Sequence, residues 1–172
     1  MMDDKIRRKI AEAAAKEKAW KVDDIRVDEV ERLRRPRCSF YTAANTAAPL
    51  SYVRNFALFS EQVTPAGDGE VVAHILDKCS KGAPANWWAE IIARFYNDLG
   101  NGQVLVDETT RPDVVRKLNQ AGKDFARPVL DRKKQSVRFL LLNRETYVVY
   151  KIEAVRKDSG PVEVSKTEVL AP

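Results

Sequence analysis

Two hydrophobic periods divide this chain, and their order limits what it can fold into. Between residues 69 and 121 apolar side chains recur at helical spacing, and after Gln135 they recur in strand-like runs. Residues 85–99 carry the widest stripe, formed by Trp87, Trp88, Ile91, Ile92, Phe95 and Leu99, with Gly100 placed to end a helix. The adjacent Trp87 and Trp88 suit a core and its rim better than a base-stacking surface. Residues 70–80 repeat the pattern through Val71, Val72, Ile75, Leu76 and Cys79, with Asp68 as an N-cap. Thr110-Arg111-Pro112-Asp113 opens a further helix carrying Val114, Val115, Leu118 and Ala121, and Gly122 stops it.

The C-terminal third changes period. Val137–Leu142, Thr146–Val155 and Val162–Leu170 predict strands separated by the turns at 143–145 and 158–161. Short loops between consecutive strands imply an antiparallel meander. Gln103–Asp107 predicts a further short strand whose edge is left open. Helices first and strands last predict an α+β fold, with N-terminal and central helices packed on a C-terminal antiparallel sheet, a meander of about three to four strands.

The N-terminal part is less periodic. Residues 4–20 predict a helix with a thin stripe, Ile6, Ile10, Ala14 and Trp20, which gains little from burial and fits a mobile arm. Val22, Ile25, Val27, Val30 and Leu33 predict a second short helix, ended by Pro36. Residues 36–49 are rich in Ala, Thr and Asn and predict a connector. A helix is then expected from Pro49 or Ser51, carrying Tyr52, Val53, Phe56, Leu58 and Phe59, before the turn at 64–69. The expected division is an arm and connector over 1–48 and a globular α+β domain over 49–172. A chain of 172 residues is long enough for a core of its own.

The two cysteines, Cys38 and Cys79, form no C-x-x-C pair and are too few for a disulfide scaffold or a thiolate zinc site. Two free thiols in a reducing compartment are expected, with a single bridge as the alternative. The charged N-terminus and the lack of an apolar run near ~20 residues predict a cytoplasmic protein with no membrane partner.

Motifs for chemistry are sparse. His74 is the one histidine, with Asp77 three residues on, but no nucleophile or metal partner accompanies them. Asp107 and Glu108 at a strand end resemble the carboxylates a nuclease uses for Mg²⁺, and equally a solvated strand terminus. A nuclease-like domain built on Asp107, Glu108 and His74 is the weakest of three functional classes. There is no phosphate-binding glycine loop and no G-x-S-x-G elbow. No cofactor or metal is expected.

Charge is the remaining signal. The net +5 is distributed as +3 over 1–37, −4 over 38–110, +7 over 111–144 and −1 over 145–172. Arg116, Lys117, Lys123, Arg127, Arg132, Lys133, Lys134 and Arg138 would form one polyanion-binding surface if they shared a side. Arg32, Arg34, Arg35 and Arg37 form a second knot, with Arg34, Arg35 and Arg37 as its candidate phosphate contacts, partly neutralised by Asp28, Glu29 and Glu31. Tyr147 and Tyr150 fall on opposite faces of a strand, so only one could stack beside that surface. The first functional expectation is a small nucleic-acid-binding protein contacting mainly phosphate. The alternative is an assembly or protein-interaction module in which an acidic face meets a basic one.

Overall fold

The computed structural model describes residues 3–48, 53–100, 103–108, 111–123 and 127–171. The elements run α1 (Asp4–Lys18), β1 (Ile25–Glu29), β2 (Cys38–Asn45), β3 (Val53–Phe59), β4 (Gln62–Pro65), α2 (Gly69–Cys79), α3 (Ala85–Phe95), β5 (Gln103–Leu105), α4 (Pro112–Gln120), β6 (Val129–Asp131), β7 (Ser136–Asn143), β8 (Val149–Arg156) and β9 (Val162–Leu170). The fold is α+β with two antiparallel sheets. One has the order β1-β2-β3-β4; the other has the order β5-β7-β8-β9, with β6 also paired to β7. The C-terminal meander β7-β8-β9 is present, and no helix among the described residues is long and apolar enough to cross a membrane.

Five layers stack through the molecule. Helices α2 and α3 lie between the sheets, and one core joins Phe40, Ala57 and Phe59 of the first sheet to Val137, Phe139, Leu141 and Ile152 of the second. This explains the width of the α3 stripe: Trp87, Trp88, Ala89, Ile91, Ile92 and Phe95 are all buried because both flanks of the helix meet a sheet. Phe40 sits edge-on to Trp87 and Phe95, with ring centroids 5.9 and 5.8 Å away. The outer face of the first sheet packs on α1 through Val27, Tyr41, Ala43 and Phe56. The outer face of the second packs on α4 through Leu140, Leu142 and Val149.

The first sheet departs from the sequence expectation. The helix expected over 21–35 is instead a 3₁₀ turn, strand β1 and a second 3₁₀ turn. The connector expected over 36–49 contains β2, and the helix expected from residue 51 gives way to β3. These strands are covered on both faces, so Phe40 and Tyr41, or Phe56 and Ala57, are buried side by side and strict alternation is lost. Ser60 and Glu61, at φ 50° and 62°, form the tight link from β3 to β4. The boundary expected at residue 48 falls between strands that pair from Cys38↔Phe59 to Ala44↔Val53, in one continuous sheet. Proposed openers Pro49 and Ser51, and Tyr52, lie outside the described residues.

The thin stripe of α1 is real, but the helix is docked. Ile10 and Ala14 are fully buried, and Arg54 of β3 forks onto Glu17. Burial of Ile10 alone contributes ~1.5–3 kcal/mol. The start of α2 is pressed onto β9: a Cβ at Gly69 would collide with the Val162 carbonyl.

The cysteines are not free thiols. Cys38 and Cys79 are bonded, with Cα atoms 5.9 Å apart, tying the start of β2 to the end of α2. The bridge closes a separation of 41 residues, and so removes loop entropy worth ~2–4 kcal/mol from the unfolded chain. Cys79→Ser, or reduction of the native protein, is expected to lower unfolding stability by about that amount in urea titration. An unchanged midpoint under reducing conditions would contradict the bridge.

Candidate functional site

The second sheet divides the cations of residues 111–144 between its two sides. Residues 132–135 form the turn from β6 to β7, held by Lys133 and Lys134 N–H groups donating to Asp131 Oδ1 at 3.0 and 3.1 Å. Lys133 and Lys134 are exposed there. Arg132 turns toward the central helices and donates to the Ala83 carbonyl at 2.6 Å. Arg138 stands on the opposite side, the α4 side, with Glu153 directly across on β8. Arg116 and Lys117 are exposed on α4, and Lys123 is exposed just beyond it. Arg127 is bound to Glu108 at 2.6 Å, and that hydrogen bond raises the guanidinium pKa. The cations therefore do not form one uninterrupted surface: Arg132 is on one side, Arg138, Arg116 and Lys117 on the other, interleaved with Glu108, Asp113 and Glu153.

The N-terminal knot is divided too. Arg34 reaches Glu29 at 3.8 Å, Arg37 is exposed at φ 66°, and Arg35 points inward to donate to the Lys81 carbonyl at 2.8 Å. Of the tyrosines, Tyr147 is 63% exposed beside Arg111 and Lys117, whereas Tyr150 is half-buried with Lys166 Nζ 3.9 Å from its ring centre.

The residues named for catalysis are engaged otherwise. His74 packs edge-on to Phe59, with centroids 5.2 Å apart. Asp77 is held by the Arg156 fork. Among the described residues, no three His, Cys, Asp or Glu side chains are grouped to hold a metal ion.

A wider recess lies elsewhere. A cleft of about 760 Å³ opens between the two sheets, along the side of α3. Arg32, Leu33 and Arg35 of the turn before β2 form one wall, Val53 and Asn55 of β3 another, and β5 and Arg144 the third. Its floor is α3. There Glu90 accepts from Arg94 Nε at 2.9 Å and from the Arg32 fork, so one carboxylate holds two guanidinium groups. Asn55 fixes the end of this network, its Nδ2 donating to the Arg94 carbonyl at 3.1 Å. Trp87 supplies apolar floor while its Nε1 donates to the Leu33 carbonyl at 2.8 Å. Arg35 Nε and Gln103 Oε1 are buried at the cleft wall with no hydrogen-bond partner among the described residues. Such groups cost ~1–3 kcal/mol each.

Four arginines (Arg32, Arg35, Arg94, Arg144) face two carboxylates (Glu90, Asp107) around this cleft, leaving it net positive. Arg32 and Arg35 belong to the N-terminal basic knot, and Asp107 is one of the carboxylates weighed for a nuclease. Of the remaining three, only Glu90–Arg94, an i,i+4 pair on α3, leaves a local signal. Comparison with protein-family models, curated proteins and solved structures finds no match.

The strongest carboxylate shift lies outside the cleft. Asp113 is lowered to about 2 from 3.8 by hydrogen bonds from Arg111, at 2.8 and 3.1 Å, and by its charge. A carboxylate held low contributes above its ordinary pKa and loses that contribution as pH falls through the folded value. The Arg111 pairing at the head of α4 should therefore fade from about pH 4 to pH 2. In an NMR titration Asp113 is expected to have a midpoint near 2, returning toward 3.8 in Arg111→Ala. A midpoint unmoved by that substitution would refute the pairing.

Proposed function

We propose that this chain is a protein-interaction module that takes an acidic segment of a partner into the arginine-lined cleft between its sheets. The observation that carries this is the convergence of Arg32, Arg35, Arg94 and Arg144 on an apolar lining of Leu33, Trp87 and Leu105. Guanidinium groups bind carboxylates bidentately, and apolar walls strengthen such contacts by excluding water. Glu90 pre-organises two of the four, so less side-chain entropy is lost on binding. Among the described residues that line the cleft, no aromatic ring is exposed for a nucleobase: Trp87 is 4% exposed and its N–H is committed. This favours a polypeptide over a nucleic acid. The bridged cysteines suit a compartment where disulfides persist rather than the cytoplasm.

Nucleic-acid binding is the second reading, favoured by Tyr147, which stands exposed beside Lys117 and Arg111. Fluorescence anisotropy separates the two with a labelled glutamate-rich peptide and a labelled single-stranded oligonucleotide. The peptide is expected to bind with an affinity that falls as salt rises. Arg35→Gln combined with Arg144→Glu should weaken it at least tenfold, as loss of two charged contacts of ~1.5 kcal/mol or more implies, and Lys133→Ala with Lys134→Ala should leave it unchanged. Binding of the oligonucleotide alone, abolished by Lys117→Ala with Tyr147→Ala, would replace this proposal with the second.

A further inference from the structure

Strand β9 is the long unprotected edge of the second sheet. The edge strands of the first sheet are short: β1 and β4 have five and four residues, and β4 ends in Pro65. β5 and β6 have three residues each. β9 has nine, Val162–Leu170, and pairs on one side with β8 from Arg156↔Val162 to Val149↔Leu170. Its first residue is covered by α2 at Gly69. From Glu163 onward no described residue beyond β8 bonds to its backbone, and Ser165 through Glu168 are exposed. A row of unpaired N–H and C=O groups of this length is a template for another strand.

The sequence of this edge specifies which strand. Two copies of β9 related by a two-fold axis normal to the sheet would pair antiparallel, with matched residues on the same face. Centred on Lys166, such a pair sets two lysines opposite each other; centred on Glu168, two glutamates. Centred on Ser165 it sets Lys166 against Val164 and forms no ion pair. Centred on Thr167 it sets Lys166 opposite Glu168 twice, once on each side of the axis, and Ser165 opposite Val169. Lys166 and Glu168 share the face that carries Tyr150, and the Lys166 ammonium is already held over that ring. Opposite charges directly across a strand pair stabilise it, and like charges destabilise it.

We infer that β9 is a self-complementary edge through which two copies of this chain join their second sheets into one continuous sheet, in the register centred on Thr167. The irregularity at Val169, where the ladder passes from Tyr150↔Glu168 to Val149↔Leu170, limits this pairing to the segment before Leu170. The surface is independent of the arginine cleft, so either can fail without the other.

Size-exclusion chromatography with light scattering on the full chain, across a range of concentrations, tests it. The native protein is expected to have the mass of a dimer. Lys166→Glu and Glu168→Lys each set like charges opposite one another at both symmetric positions and should weaken the dimer about tenfold or more. The double exchange, Lys166→Glu with Glu168→Lys, should restore it. Thr167→Glu places two carboxylates at the axis while leaving the Lys166–Tyr150 contact intact and facing Lys151 within the chain; it should also give a monomer with an unchanged circular dichroism spectrum. Arg144→Glu, in the cleft, should leave the mass unchanged. A native protein that stays monomeric at every concentration, folded single variants that stay dimeric, or a folded double exchange that stays monomeric would overturn the inference.

Discussion

The structure depends on α3 being buried from both flanks. A helix on the surface of a domain needs one apolar stripe, whereas α3 meets Phe40 of the first sheet and Val137, Phe139 and Leu141 of the second. Its wide hydrophobic face makes the two sheets one folding unit. The same position creates the cleft, because the side of α3 with Trp87, Glu90 and Arg94 forms a floor between the sheet edges. Core and recess are two consequences of one placement.

The disulfide reinforces this arrangement from the side of α2. Cys79 ends α2 and Cys38 begins β2, so the bridge fixes the central layer to the first sheet near the turn that carries Arg35. Arg35 in turn donates to Lys81, two residues beyond Cys79. The cleft wall is held by a covalent tie and a hydrogen bond within a few residues of each other. A binding surface with its charged groups held in place loses less entropy on association.

What was legible in the sequence follows from exposure. The stripes of α2, α3 and α4 and the runs of β7 and β9 are legible in place, and Val162–Leu170 has the expected bounds, whereas the strand expected from Thr146 begins at Val149, after a turn in which Tyr147 has φ 58°. The first sheet was not legible because its strands are sheathed on both faces. Phe56 serves α1 while Ala57 and Phe59 serve the central core, so apolar residues crowd together at spacings that also suit a helix. Ala43 and Ala44 in β2 gave the stretch the composition of a connector. The pairing of Cys38 with Cys79 depends on Cα atoms brought within bridging distance by the fold, which no local pattern encodes. The charge blocks carry no record of direction: Arg132, in the turn before β7, reaches back to the Ala83 carbonyl, whereas Arg138, within β7, faces α4. Meanwhile Arg32, Arg94 and Arg144, far apart in the chain, meet at one cleft.

Whether both sheets share one cooperative core through α3 is measured most directly by native-state hydrogen exchange. The account predicts that the slowest amides of β2, β3, β7 and β8 exchange through the same global opening, with equal free energies and equal denaturant dependence. It further predicts that Phe95→Ala, whose ring is 1% exposed, lowers all four together. Protection in β2 and β3 that collapses while β7 and β8 keep theirs would show that the first sheet unfolds alone, and would contradict the shared core.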